Sequence, residues 1–189
     1  MKASKLPSAD ETDFTENGVT AWQINKLLKF DWLETDSNLI ITGKCNSGKT
    51  ALASRIGREA IKQRHKVYYI MTENFLEVIQ TKLTSPRSQK IFSYIKECRL
   101  LIIDEVLYLP LTAEELQIFY KAVVFLNATQ SIIFITNREL SDWRNACDDQ
   151  HLMQTLLDRI AAEAQILRLE KSIIPPHKNP PKTRKKTTK

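Results

Sequence analysis

Apolar positions along this chain form two kinds of pattern, short continuous runs and helical stripes. The continuous runs are rich in branched residues and predict five strands, Asn38–Thr42, Val67–Met71, Leu100–Asp104, Ser131–Thr136 and Gln165–Leu169. The stripes between them predict helices near 49–64, 73–83, 112–127 and 151–162. Strands that are apolar at every position are typical of a parallel sheet covered on both faces. The pattern therefore predicts a three-layer α/β fold.

Two of the helices begin with a capping box, in which a threonine and the side chain three residues later bond to each other's backbone N–H groups. Thr20 with Gln23 starts a helix whose apolar face is predicted to extend to Trp32, and Thr112 with Glu115 starts the helix near 112–127. Residues 1–19 are polar and without a period, which predicts a flexible leader. The folded domain is predicted to span 20–172.

Charge is unevenly distributed along the chain, so the net charge of +6 does not apply to its individual parts. Residues 171–189 contain seven basic and no acidic side chains, whereas residues 1–170 contain 21 basic and 22 acidic ones. Four prolines in the last 15 residues predict that 173–189 is an extended, disordered tail. Such a tail can bind nucleic acid phosphates without sequence specificity, or it can simply increase solubility.

The composition excludes several classes of protein. The chain is 42% hydrophobic and 26% charged, which is typical of a globular domain. Its longest apolar runs have about five residues, whereas a membrane span needs about 20. Residues 2–20 do not resemble a signal peptide, and the three cysteines do not form a metal-binding or disulfide pattern. We therefore expect a cytoplasmic protein without a membrane span.

The strongest motif is a complete G-x-x-x-x-G-K-[ST] P-loop at the end of the first predicted strand, made of Gly43, Lys44, Cys45, Asn46, Ser47, Gly48, Lys49 and Thr50. Backbone N–H groups at a helix N-terminus favour a polyphosphate. Lys49 is expected to contact the β- and γ-phosphates, and Thr50 to ligate Mg²⁺. The motif predicts ATP binding; the alternative is an ordinary strand-to-helix connection with two glycines. Alkylation of Cys45 is expected to block nucleotide binding.

Two further strands end in polar residues that can complete such a site. Leu100–Ile103 is followed by Asp104 and Glu105, the Walker B pattern, in which Asp104 holds Mg²⁺ and Glu105 acts as the general base. Asn137 follows another apolar strand and can hydrogen-bond to the γ-phosphate and orient the attacking water. The alternatives are a strand end with a helix cap for Asp104 and Glu105, and a turn for Asn137. The carboxyl ends of parallel strands meet at one edge, where ligands bind.

Arg159 lies at the edge of an apolar helical face, because Leu156 and Ile160 share that face at a spacing of four. It has two interpretations. Asp158 and Arg159 can form a surface pair that contributes little to stability. Alternatively, Arg159 is an arginine finger that enters a neighbouring subunit's site. The residues themselves do not decide between the two.

Taken together, these residues resemble those of the IstB-like ATPases, AAA+ helper proteins of insertion-sequence transposition that are related to DnaC-type helicase loaders. The resemblance extends from about Asp31 to Ser172 and is most specific in the Asp-Glu-x-x-Tyr-Leu-Pro-Leu stretch at 104–111. It implies a five-stranded AAA+ sheet of order 5-1-4-3-2, a sensor role for Asn137 and an arginine finger at Arg159. It also implies an ATP-dependent homo-oligomer on double-stranded DNA that serves a transposase.

The chain departs from the family in three places. Family members usually have a helical N-terminal domain before this core, whereas 37 residues precede the first predicted strand here. Ala161, Ala162 and Glu163 stand where histidines commonly follow the Asp-Arg pair. The arginine common after the last strand is replaced in the stretch 170–174.

Three functions are compatible with these features. The first is a DNA-dependent, Mg²⁺-dependent ATPase that assists transposition, which the segment 108–110 favours. The second is an adaptor that loads a replicative helicase and uses hydrolysis as a release switch. The third is a small-molecule kinase. The Asp104–Glu105 pair, Asn137 and the lack of a lid-like insertion argue against a kinase.

Overall fold

The computed structural model describes residues 6–7, 14–35, 37–162 and 164–170. Its five strands are β1 Leu39–Gly43, β2 Val67–Met71, β3 Leu100–Asp104, β4 Ser131–Thr136 and β5 Gln165–Leu169. Four strands have the predicted bounds, and β1 lies one residue later than predicted. All strand pairs are parallel, in the order β2-β3-β4-β1-β5. The predicted sheet and its order are confirmed.

The described helices are α1 Ala21–Leu27, α2 Asp31–Glu34, α3 Lys49–Lys62, α4 Thr72–Thr81, α5 Pro86–Glu97, α6 Ala113–Leu126 and α7 Gln150–Ala161, with 3-10 helices at Phe14–Asn17 and Leu140–Asn145. Both predicted capping boxes are present. Helix α5 was not predicted from the sequence, although its buried Ile95 and partly buried Ile91 and Phe92 form an apolar stripe against the core that contains Phe75. None of the helices in the described part of the chain has the length and apolar character that a membrane span requires.

The sheet separates two apolar cores, as a three-layer fold requires. One core contains Phe75, Phe119 and Trp143 and is covered by α4, α6 and α7. The other contains Leu33 and Leu52 and is covered by α1, α2 and α3. The three inner strands β1, β3 and β4 contribute alternate side chains to the two cores, so they are apolar at nearly every position.

The helix that begins at Thr20 is shorter than predicted. It ends at Leu27, and the chain turns through Phe30, whose φ of 61° is left-handed, before α2 begins at Asp31. The indole N–H of Trp32 donates to the carbonyl oxygen of Leu27 at 2.9 Å. Trp32 therefore packs on the apolar face as predicted, but from a second helix.

Residues 14–19, predicted to be part of a flexible leader, belong to the folded domain. Phe14 and Val19 are each 1% exposed and pack in the core that contains Leu52. The backbone carbonyl of Asn17 accepts a hydrogen bond from the Glu170 N–H at 3.0 Å, just after β5. Phe14 and Val19 do not form a helical or strand pattern of apolar residues, so the sequence did not predict that this segment is folded. The predicted tail 173–189 lies outside the described residues.

Candidate nucleotide-binding site

The loop between β1 and α3 is shaped by two glycines in conformations that other residues rarely adopt. Gly43 has a φ of 146°, and a Cβ there would lie 2.2 Å from the backbone oxygen of Leu169. Gly48 has a φ of 88° and forms the N-cap of α3. Glycine is therefore required at position 43 because β5 passes close to the backbone, and at position 48 because the chain turns into the helix. The loop bends around the N-terminus of α3, where backbone N–H groups favour an anion.

The ammonium group of Lys49 lies inside this loop. Its Nζ donates to the carbonyl oxygens of Gly43 and Lys44, both at 2.7 Å. Burial lowers the pKa of Lys49, and the nearby Cys45 and Asp104 oppose that shift. A partly desolvated cation gains from a neighbouring negative charge. The electrostatics of the loop therefore suit a phosphate.

The carboxylate of Asp104, which is only 4% exposed, is the hub of the polar site. Its Oδ2 accepts hydrogen bonds from the hydroxyls of Thr50 and Tyr69, each at 2.8 Å. Its Oδ1 accepts from the backbone N–H of Glu105 at 2.7 Å. A hydroxyl and a carboxylate side by side are oxygen ligands of the kind that Mg²⁺ prefers. The donor set of Thr50 and Asp104 therefore fits this ion.

Glu105 begins the loop after β3 in a strained conformation. Its φ of 59° is left-handed, which is uncommon for a glutamate. The next N–H, that of Val106, donates to the carbonyl oxygen of Ile135 at 2.8 Å and holds the turn in place. Partial burial raises the pKa of Glu105, and the negative charges of Asp104 and Glu73 raise it further. A carboxylate with a raised pKa is a stronger base than an ordinary glutamate.

Asn137 follows β4 and faces the loop at 43–50. Its Nδ2 lies 3.9 Å from Sγ of Cys45, and its Oδ1 is buried without a hydrogen-bond partner among the described residues. The next residue, Arg138, donates from Nε to the carbonyl oxygen of Leu107 at 2.6 Å. The Thr42 hydroxyl donates to the Arg138 carbonyl oxygen at 2.8 Å. These contacts fix the end of β4 between the P-loop and the loop after β3.

These groups surround one cavity of about 220 Å³. Its lining residues are Cys45, Asn46, Lys49, Thr50, Asp104, Glu105, Tyr108, Ile135, Thr136 and Asn137. The fold thus brings together the P-loop, both acidic residues and the asparagine that the sequence singled out. Tyr69 and Tyr108 were not predicted as part of the site. A tyrosine in a strand has no motif of its own, and Tyr108 entered the sequence analysis only as part of the stretch 104–111.

Arg159 lies away from this cavity. It is exposed on α7 and does not line the cavity. Asp158 accepts a hydrogen bond from Nε2 of Gln154 at 2.6 Å, and within the described residues no ion pair joins Asp158 to Arg159. The surface-pair interpretation of Arg159 is therefore not realised in this part of the chain.

The carboxyl ends of β1, β3 and β4 place a P-loop, an Asp-Glu pair and an asparagine around one cavity. Together with the parallel sheet of order 5-1-4-3-2, they define a P-loop NTPase fold of the AAA+ class. The family model described as IstB-like ATP binding protein matches residues 1–174, and the chain belongs to this family.

Curated relatives come from bacterial insertion sequences. The chain is 29% identical over 173 residues to an insertion sequence IS21-like ATP-binding protein of Bacteroides fragilis, covering 89% of this chain and 66% of that protein. It is also 29% identical over 159 residues to the insertion sequence IS232 ATP-binding protein of Bacillus thuringiensis subsp. berliner, covering 84% of this chain and 64% of that protein. The matches thus span slightly less than two thirds of the length of these relatives.

Solved structures with a similar fold include two replication proteins. AMPPCP-bound DnaA from Aquifex aeolicus has a TM-score of 0.64 at 20% identity, covering 82% of this chain and 47% of that one. The DnaC helicase loader has a TM-score of 0.62 at 16% identity, covering 78% of this chain and 86% of that one. At these identities the likeness concerns the fold alone.

Proposed function

We propose that this protein binds and hydrolyses ATP, and that it assembles on double-stranded DNA to assist a transposase. The observation that supports this most directly is the arrangement of the cavity. A P-loop lysine, the hydroxyl of Thr50, two acidic residues and Asn137 surround it. A site that serves binding alone does not need Glu105 beside Asp104. This second acidic residue favours hydrolysis over binding alone.

Each residue has a separate task in this proposal. Lys49 and the backbone N–H groups at the start of α3 bind the β- and γ-phosphates. Thr50 and Asp104 would hold Mg²⁺, which when bound neutralises charge on the phosphates. Glu105 accepts a proton from the attacking water, and its raised pKa suits that task. The Asn137 amide hydrogen-bonds to the γ-phosphate and orients the water.

Assembly completes the site in this proposal. Arg159 is exposed on α7 and does not line the cavity of its own chain, so its guanidinium is free to approach the site of a neighbouring subunit. An arginine supplied from another chain stabilises the negative charge that develops on the transferred phosphoryl group. Hydrolysis is then coupled to oligomer formation, and the isolated monomer is nearly inactive.

The proposed partners follow from the family and the charge distribution. The relatives are ATP-binding proteins of insertion sequences, which supports a transposase as the protein partner. The seven basic residues in 171–189 support electrostatic contact with DNA phosphates. The second candidate is a helicase-loading adaptor, which the fold shared with the DnaC helicase loader supports.

The test is ATP hydrolysis by the purified chain with and without duplex DNA, beside Glu105→Gln. We expect DNA to stimulate hydrolysis, and the variant to lower the rate by about 10²- to 10⁴-fold, because a general base contributes that much. ATP binding should persist in the variant. Glu114→Gln, at an exposed position in the first turn of α6, is the matched control and should keep the wild-type rate.

The outcomes separate the candidate functions. Hydrolysis that is stimulated by DNA and lost in Glu105→Gln supports the transposition helper. Hydrolysis that does not respond to DNA favours the helicase-loading adaptor. Tight ATP binding without any hydrolysis, with or without DNA, contradicts the proposal that this chain is an ATPase.

A further inference from the structure

Tyr69 connects the neighbouring strand β2 to the acidic end of β3. In the parallel pair, Tyr69 lies beside Ile102, and Met71 lies beside Asp104. The Tyr69 ring packs against the core that contains Leu52, while its hydroxyl donates to Oδ2 of Asp104 at 2.8 Å. The ring is therefore held by apolar packing, and its polar end is directed at the carboxylate.

The three donors to Asp104 differ in what else they are needed for. Thr50 is a candidate ligand of Mg²⁺, so its hydroxyl oxygen has a second task in the same site. The Glu105 N–H belongs to the strained turn that carries the general base. Tyr69 comes from another strand and has no place in the P-loop or the Asp-Glu motif. Its hydroxyl can therefore orient the Asp104 carboxylate both when Thr50 binds Mg²⁺ and when it does not.

The hydrogen bond from Tyr69 joins a neutral donor to a charged acceptor, because the hydroxyl faces the buried Asp104 carboxylate at 2.8 Å. A tyrosine hydroxyl that stays protonated remains a hydrogen-bond donor across the physiological pH range. Hydrogen bonds from such a donor to a charged acceptor are among the stronger ones in proteins.

We infer that Tyr69 is a positioning residue of the magnesium site, which holds the Asp104 carboxylate in the orientation needed to bind the ion. This inference rests on the proposed ATP and Mg²⁺ binding and adds a residue that the motifs do not include. Outer-shell hydrogen bonds of this kind typically change metal affinity by about 10- to 100-fold. Tyr69 therefore acts on the metal through Asp104, without contacting it.

Tyr68 offers a matched control in the same strand. It precedes Tyr69, is also partly buried, and packs against the opposite core, which contains Phe75 and Trp143. Alternate residues of a strand point to opposite faces of the sheet. Tyr68→Phe and Tyr69→Phe thus each remove one hydroxyl group from β2, on opposite faces of the sheet.

The experiment measures nucleotide binding by the full chain without requiring turnover. ADP is titrated by calorimetry, first in EDTA and then at increasing Mg²⁺, for the wild type, Tyr69→Phe and Tyr68→Phe. We expect Tyr69→Phe to raise the half-saturating Mg²⁺ concentration by about tenfold, the lower end of the outer-shell range. Its ADP affinity in EDTA should equal that of the wild type. Tyr68→Phe should match the wild type in both measurements.

Two results would overturn the inference. One is a half-saturating Mg²⁺ concentration in Tyr69→Phe within about twofold of the wild type, far below the outer-shell range. The other is an equal loss of ADP affinity with and without Mg²⁺, because the hydroxyl would then support the loop rather than the metal. Failure of the wild-type chain to bind ADP in either condition would instead reject the proposed function together with the inference.

Discussion

Asp104 and Glu105 are neighbours in sequence, but the fold gives them different environments. Asp104 is buried at the end of β3 and receives three hydrogen bonds through its two carboxylate oxygens. Glu105 turns outward through a left-handed backbone conformation and remains exposed. Strain of this kind occurs where the surrounding structure enforces it, and it is common at functional sites. These different environments suit the separate tasks that we propose for the two residues, Asp104 to hold a cation and Glu105 to accept a proton.

The pKa of Glu105 predicts how hydrolysis depends on pH. Glu105 must be ionised to accept a proton, so activity should rise with pH through its pKa, which burial, Asp104 and Glu73 raise. Glu73→Gln removes one negative charge and lowers that pKa, because a nearby like charge disfavours ionisation. The acidic limb of the pH–rate profile should therefore move to lower pH.

Steady-state hydrolysis measured across pH checks this prediction. Glu77→Gln, one turn further along α4, is the control and should leave the acidic limb where it is, because the charges that raise the pKa of Glu105 are those of Asp104 and Glu73. A limb that moves to higher pH in Glu73→Gln, or moves equally in both variants, would contradict the assignment of Glu105 as the base.

At the scale of elements, the segment 14–19 shows how tertiary contacts create structure where local signals are weak. Its Asn17 side chain donates from Nδ2 to the carbonyl oxygen of Ser47, within the P-loop, at 3.2 Å. Its Asn17 carbonyl accepts from the N–H of Glu170 after β5. The segment thus joins the end of the sheet to the back of the phosphate loop. Its order depends on partners that are distant in sequence.

Truncating Phe14 should therefore destabilise the whole domain. Phe14 is 1% exposed, and Phe→Ala in a core typically costs about 3–5 kcal/mol. Trp22 is 69% exposed on α1, so Trp22→Ala should change the free energy of unfolding by about 0.5 kcal/mol or less. Urea unfolding followed by circular dichroism measures both values. Equal, small effects at the two positions would show that residues 14–19 do not pack as described.

At the scale of the whole molecule, the sheet order explains why one cavity collects residues from distant parts of the chain. β3 and β4 are neighbours, and β4 pairs with β1. The carboxyl ends of these strands therefore place Asp104, Asn137 and the P-loop at the same edge of the sheet. The remaining component, Arg159, lies on α7 outside the cavity. A single chain therefore contains most of the proposed ATPase site, and the proposed assembly would supply Arg159.

Mixing two inactive variants tests this assembly. Lys49→Ala lacks the phosphate contact, and Arg159→Ala lacks the proposed finger, so each alone should hydrolyse little ATP. In an equal mixture with head-to-tail contacts, roughly a quarter of the interfaces combine an intact P-loop with an intact arginine, and activity should partly return. Hydrolysis measured over a series of mixing ratios, with each variant alone as the control, checks this. No recovery at any ratio would contradict a finger that acts between chains.

The sequence by itself determined the sheet and most of the candidate site. Four of five strand bounds were predicted, because short runs of apolar and β-branched residues between polar segments are a local property of the sequence. The P-loop and the Asp-Glu pair were recognised because each is a short motif of residues that are close in sequence. The topology that the family resemblance implied also agrees with the structure.

The tertiary structure alone decided the contacts that join these parts. The hydrogen bond from Tyr69 to Asp104 depends on the pairing of β2 with β3, and the burial of Phe14 depends on a core built from elements distant in sequence. Helix α5 packs Ile91, Phe92 and Ile95 against a core built largely from other elements, beside α4, and it begins with a cap at Ser85 and with Pro86. Local sequence patterns indicate which residues are buried in a helix or strand. Which residues they contact depends on how the whole chain folds.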